Sequence, residues 1–157
     1  MSRAHRLLAA LRRRLGDPER GSAVVEFLGV SLVLLVPLVY LVLTMARIQA
    51  ASFAAEGAAR EAGRLIAQAE TMADGVAAAQ LGVELAFADQ GLEVDAASAL
   101  TITCSVPDCL TAGEYVSVVV ATEVPLPLAP DFLAGTLPTT VSITADAMTA
   151  VSGFRDG

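Results

Sequence analysis

The sequence predicts an α+β protein, in which a long N-terminal helix is followed by a second helix and a small antiparallel sheet of about three strands. Residues 27–46 form an uncharged apolar run of twenty residues, long enough for a membrane-spanning helix. Residues 47–90 are rich in Ala, Glu and Gln, which favour helix. Beyond residue 91, β-branched residues alternate with polar ones, which is typical of strands.

The apolar run extends from Phe27 to Ala46 and reads FLGVSLVLLVPLVYLVLTMA. As a helix it would reach roughly 30 Å, which matches the hydrocarbon thickness of a bilayer. It is apolar on every side, unlike a surface helix of a soluble protein. Pro37 is tolerated as a kink in a membrane helix. We therefore assign residues 22–46 to a transmembrane helix, with the chain entering a membrane once.

The charges on the two sides of this run predict its orientation. Residues 1–20 contain six Arg and two acids, whereas residues 47–157 contain four Arg and fourteen acids. Basic flanks stay on the cytoplasmic side, so the N-terminus is expected inside and the C-terminal part outside. The alternative is a secretory signal cleaved near Ala50, Ala51 and Ser52, although the apolar region of such signals is usually shorter.

Residues 47–70 are predicted to extend the membrane helix, supported by Glu56–Arg60 and Glu61–Arg64 pairs at helical spacing. The alanines of this segment either pack against partner chains or simply favour helix, and the sequence leaves both interpretations open. Residues 71–157 form the exported α+β domain. It opens with a second helix over residues 71–90, beginning near Asp74 as its cap. An apolar stripe is expected to cover the sheet: Met72, Val76, Ala79, Val83 and Phe87.

Three strands are predicted within residues 92–105, 114–124 and 139–151. The linker 125–138 contains four prolines and is expected to be a loop. Cys104 and Cys109 flank the turn between the first two strands. On the outer side of a membrane these cysteines can pair, and a structural disulfide would fix the hairpin.

The composition excludes much chemistry. There is no Lys, and the single His is His5, in the basic leader. Schiff-base, Ser–His and ordinary zinc chemistry are therefore not expected, and we predict no catalytic residue, metal or cofactor. Asp89, Glu93, Asp95 and Asp131 are interpreted as solvated surface acids. The net charge of −7 argues against a nucleic-acid partner, and no small-molecule substrate is expected.

The junction before the apolar run carries the sharpest signal, and it reads Gly21-Ser22-Ala23-Val24-Val25-Glu26-Phe27. Glu26 is the only charge in residues 21–46. A carboxylate in apolar surroundings needs a partner. Cleavage after Gly21 would make Ser22 a new N-terminus, whose ammonium group could pair with Glu26 in the same chain or in a neighbour.

Gly21 followed by Glu26 and an apolar helix resembles the processing site of type IV prepilins and pseudopilins. The wider stretch from residue 20 onward resembles the TadE-like subunits of tight-adherence (Flp) pilus systems. Weaker matches follow over residues 58–64 and 141–147. The major Flp pilin usually has Tyr where this chain has Phe27, and it is much shorter, so the resemblance favours a minor, TadE-type subunit.

The resemblance implies that a prepilin peptidase cuts between Gly21 and Ser22 and removes the cytoplasmic leader, residues 1–21. It also implies that Glu26 and Phe27 help set helix register through pairing with the N-terminus. The expected partners are the membrane, other pilus subunits and assembly proteins, and the expected role lies in pilus assembly or secretion. The alternatives are an unprocessed, single-pass anchored adhesion or sensing module, and an exported enzyme.

Overall fold

The computed structural model describes residues 18–127 and 139–154, with side chains from residue 23 onward. The helices are α1 (Pro18–Gln68), α2 (Met72–Ala88) and the short α3 (Ala96–Ala99). The strands are β1 (Leu100–Cys104), β2 (Tyr115–Pro125) and β3 (Thr140–Ala150). This order confirms the predicted α+β class. The chain divides into two compact units, the first ending at Val42 and the second starting at Leu43.

Within the first unit, α1 carries the apolar run, and Pro37 lies inside the helix without ending it. From Ala23 to Val42 the side chains are exposed, apart from the half-buried Ser31 and Tyr40. No other described part of the chain covers this segment. The helix therefore presents an apolar surface in every direction.

Within the second unit, α1 has one face buried in the domain's own core. The small residues of this face are almost inaccessible, with exposed fractions between 0 and 6%: Ala51, Ala54, Ala55, Ala58, Ala59, Ala62 and Ala67. Ile66 is the largest buried side chain of this face. These alanines are buried inside the domain itself. The sequence left two interpretations open for them, and the first of these, packing against partner chains, is therefore wrong.

Helix α2 begins at Met72 and not near Asp74, which corrects the predicted cap. Thr71 is the N-cap, and its Oγ1 accepts a hydrogen bond from the Asp74 backbone N at 3.2 Å. Thr71 Oγ1 also donates to Asp74 Oδ2 at 2.7 Å, which places the carboxylate in the first turn, where the helix dipole favours it. Of the predicted stripe, Ala79, Val83 and Phe87 are buried, whereas Met72 and Val76 are only half-buried.

Two glycines explain how closely α2 approaches α1. A Cβ on Gly75 would lie 3.0 Å from the Ala69 Cβ and 3.1 Å from the Ile66 Cα. A Cβ on Gly82 would lie 3.2 Å from Leu65 Cδ1. The absence of a side chain lets the two helices pack in direct contact. The glycines that weaken the helical pattern in the sequence are thus required by the packing.

The sheet has the order β1-β2-β3 and is antiparallel throughout. Val120 pairs with Leu100 of β1 and with Ala145 of β3, which fixes the register across all three strands. Alternate residues of β2 face the core, and these are Val116, Val118, Val120 and Val124. Gly63 of α1 packs on the sheet, because a Cβ there would lie 2.6 Å from Thr149 Oγ1.

The segment before β1 departs from the prediction. Residues 96–99 form α3, so the strand predicted within residues 92–105 begins only at Leu100. Asp95 caps this turn by accepting a hydrogen bond from the Ala97 backbone N at 3.2 Å. Ala96 and Ala99 are buried, which a strand could not achieve at this spacing of three.

The solvent face of α1 carries the two predicted ion pairs. Arg60 lies 3.6 Å from Glu56, and both side chains are well exposed. Arg64 donates to Glu61 through Nε at 2.9 Å and through Nη2 at 2.5 Å. The hydrogen bond from Arg64 lowers the pKa of the Glu61 carboxyl. Its small stabilising effect is therefore present at neutral pH and is lost as the carboxylate protonates at low pH.

The disulfide between Cys104 and Cys109 is present, with the two Cα atoms 5.0 Å apart. It closes the turn after β1. Ser105 Oγ has one proton to donate and lies 2.9 Å from Glu114 Oε2 and 3.0 Å from the Tyr115 carbonyl oxygen, so the other side of the turn is tied to the start of β2. The predicted structural disulfide is confirmed.

We predict that Gly75→Leu destabilises the domain by about 1–3 kcal/mol, because the new side chain would overlap the backbone of Ile66. Gly57→Leu is the matched control, since a Cβ at Gly57 meets nothing within 4 Å. It should be neutral or stabilising, as leucine favours helix. Thermal unfolding of the full chain in detergent, followed by circular dichroism, measures both. Equal effects of the two substitutions would contradict the close helix contact.

Replacing Cys104 and Cys109 together by Ser should lower the free energy of unfolding by about 2 kcal/mol, through the greater entropy of the unfolded chain. Denaturant unfolding of the full chain in detergent, with and without a reducing agent, measures this loss. The reducing agent should destabilise the wild type by the same amount and leave the double variant unchanged. A wild type insensitive to complete reduction would show that the crosslink does not stabilise the hairpin.

Candidate functional site at the head of the apolar helix

The predicted processing bond lies at the start of α1. Gly21 and Ser22 are helical in their backbone, three and four residues after Pro18. A peptidase that acts on an extended backbone would have to unwind the first described turn of α1.

Glu26 lies five residues beyond Gly21, at the head of the apolar segment. Its side chain is exposed, and among the described side chains no basic group lies within 4.0 Å of its carboxylate. The chain as described thus offers this charge no partner. In an apolar environment an unpaired carboxylate costs several kcal/mol.

Phe27 and the apolar residues that follow it form an exposed apolar surface next to this carboxylate. Phe27 is 69% exposed, and sixteen large apolar side chains between Val24 and Met45 are 46–70% exposed. Each would gain about 1.5–3 kcal/mol on transfer from water to apolar surroundings. Such a surface is not stable in water, and it requires lipid or other apolar helices around it.

In the part of the chain that the structure describes, one helix is long and apolar enough to cross a membrane. This is compatible with single-pass membrane anchoring. The geometry of the site therefore combines a lone carboxylate, an uncovered apolar helix and a glycine–serine bond within the first turn.

The surface acids do not assemble into a metal site. Over residues 18–127 and 139–154 there is no group of three or more His, Cys, Asp or Glu side chains that could hold a metal ion. Asp95 acts as a helix cap, while Asp89 and Glu93 are exposed. Asp131 and His5 lie outside the described residues.

The structure contains a charged cavity that the sequence does not predict. It has a volume of about 360 Å³ and lies in the second unit, where Arg47, just beyond the apolar run, comes close to the ends of α2 and β2. Glu93 and Glu123 are the other charged residues of its lining. No spacing in the sequence brings these three residues together, because the contact depends on the antiparallel return of α2.

No protein-family model, curated protein or solved structure matches this chain. The likeness to TadE-like subunits therefore stays a prediction from the sequence, carried mainly by the residues around Gly21 and Glu26 and more weakly by residues 58–64 and 141–147. The function is inferred below from this site and from the fold that carries it.

Proposed function

We propose that the chain is a minor pilin- or pseudopilin-type structural subunit of a tight-adherence pilus, processed after Gly21 and acting in pilus assembly or secretion. The observation that carries the proposal is the lone carboxylate of Glu26, exposed at the head of an uncovered apolar helix and five residues after a glycine. An acid alone would also suit the interfacial edge of any membrane helix, and it is the combination with Gly21 and the apolar run that favours processing.

Processing supplies the missing counter-charge. A prepilin peptidase, as the resemblance implies, hydrolyses the Gly21–Ser22 bond and leaves an ammonium group on Ser22. This group lies within one helical turn of Glu26 in the same chain, and it can equally reach the carboxylate of a chain packed alongside. In the mature helix, Glu26 is also close to the positive end of the helix dipole.

Pairing between neighbouring chains would set their axial register. The apolar surface around Phe27 can slide along another apolar helix at little cost, because its contacts are not directional. A single buried ion pair removes this freedom, since only one alignment avoids an unpaired charge. Polar groups in otherwise apolar helix contacts specify register in the same way.

The exported domain supplies the contacts outside the membrane. Its own core uses the alanine face of α1, so partner subunits have to contact the sheet, α2 or the solvent face of α1. The acids that predominate in this part of the chain keep an alanine-rich domain soluble. We assign no catalysis to the chain.

A permanently anchored adhesion or sensing module is the second candidate. It is favoured by the self-contained packing of the second unit, whose core is complete without a partner chain. This candidate gives Glu26 no special role and leaves the leader in place. The state of the N-terminus therefore separates the two functions.

Intact-mass and N-terminal analysis of the membrane fraction should find a mature chain that begins at Ser22. Gly21→Ala should abolish or strongly reduce processing, because the added methyl group occupies the cleavage position that the resemblance reserves for glycine. Gly29→Ala is the matched control within the same helix, where a Cβ meets nothing within 4 Å, and its processing should be normal. A wild-type chain that retains Met1 beside an active prepilin peptidase would contradict the proposal.

Glu26→Val should leave cleavage intact but reduce co-purification with other pilus subunits, on the order of tenfold, because the chains lose the ion pair that fixes their register. Ser31→Val, which removes another polar group of the same helix, should assemble normally. Affinity purification with quantitative mass spectrometry measures both. Wild-type assembly by the Glu26 variant would remove the pairing mechanism.

A further inference from the structure

The cavity beside Arg47 has the composition of a small ligand site. Its volume of about 360 Å³ lies at the lower end of the usual range for small-molecule pockets. Apolar side chains that belong to the core, Phe87, Leu92 and Val124, form part of its lining. Charged groups from α1, from the chain after α2 and from β2 complete it.

The charges in this cavity are separated and not neutralised by one another. Arg47 is half-buried, and within residues 18–127 and 139–154 no carboxylate oxygen lies within 4.0 Å of its guanidinium group. Glu93 and Glu123 are exposed and line the same cavity. Thr140 donates to Glu123 Oε2 at 3.2 Å, so one carboxylate is held in place. The site therefore presents one positive and two negative groups to any occupant.

The position of Arg47 at the end of the apolar run indicates which class of ligand lies near the cavity. Arg47 directly follows the apolar run that ends at Ala46. When that run occupies the hydrocarbon layer, Arg47 lies at the level of the lipid headgroups, where arginine side chains reach out to phosphate.

We propose that this cavity binds the headgroup of a phospholipid with a phosphate and a primary ammonium, of the phosphatidylethanolamine type. The Arg47 guanidinium would take the phosphate through charge-assisted hydrogen bonds, for which its fork of N–H donors is suited. Glu93 and Glu123 would accept hydrogen bonds from the ammonium group. A single zwitterionic headgroup satisfies both signs of charge in the cavity.

The same groups discriminate against other headgroups. A choline headgroup carries no N–H donor for Glu93 and Glu123, so it satisfies only the phosphate side. A glycerol headgroup leaves the lipid with a net negative charge, which the two carboxylates repel. Selectivity is expected from the pair of carboxylates, and overall retention from Arg47.

This inference requires only that α1 crosses a membrane, and it holds for a processed pilus subunit and for a permanent anchor alike. The failure of either function would leave it untouched. Conversely, loss of lipid selectivity would not affect the processing of the Gly21–Ser22 bond.

Native mass spectrometry of the full chain in detergent tests the proposal, with equal amounts of ethanolamine, choline and glycerol phospholipids that share the same acyl chains. We expect one ethanolamine lipid to be retained in preference to the other two. Arg47→Gln should reduce its retention roughly tenfold, as expected for the loss of a charge-assisted contact. Arg60→Gln, which removes another exposed arginine of α1 away from the cavity, should have no effect.

The double substitution Glu93→Gln and Glu123→Gln should shift the preference from the ethanolamine lipid to the anionic glycerol lipid, because the repulsion of net negative headgroups is removed. Circular dichroism shows whether each variant is folded. Equal retention of the three lipids by the wild-type chain would overturn the proposal without recourse to any variant. An unchanged preference in the folded double variant would overturn it as well.

Discussion

The apolar part of α1 imposes the constraint on which the rest of the structure depends. One half of this helix packs against a folded domain, and the other half needs apolar surroundings from outside the chain. Beyond Leu43 it buries its inner face against its own α2 and sheet, using residues as small as alanine. Before Val42 it has no such cover, and its side chains project from the helix on all sides. Only a bilayer, or a bundle of similar helices, provides the solvent that this half requires.

Small residues in the second unit follow from this arrangement. The domain is built onto one face of the helix that continues from the apolar segment. Ala55, Ala58 and Ala62 let the sheet and α2 lie against α1 at short distance, and Gly63 and Gly75 remove the remaining side chains at the tightest points. The domain is thereby attached along one side of α1, while the opposite side keeps its charged pairs.

The sequence was sufficient for the fold class, the three strands and the disulfide, because periodicity and local turn chemistry determine them. The sequence was insufficient to predict what a surface packs against when the contacting residues are distant in the chain. A row of alanines has the same pattern whether it meets another chain or its own sheet, and only the return of α2 decides between them. Thr71 and Asp74 are equally good caps by residue type, and the backbone conformation selects Thr71. The Arg47 cavity arises from residues distant in sequence, which no local pattern brings together.

The central claim is that cleavage creates the cation that neutralises Glu26. Solid-state NMR can measure this directly, on protein in membranes or in assembled material, through the dipolar coupling between a 15N-labelled Ser22 amine and a 13C-labelled Glu26 carboxyl group. If cleavage creates this cation, the coupling should correspond to ion-pair contact, with nitrogen and oxygen about 4 Å apart or less. A Ser22 nitrogen that is still an amide, or an amine with no coupling to any Glu26 carboxyl group, would contradict it.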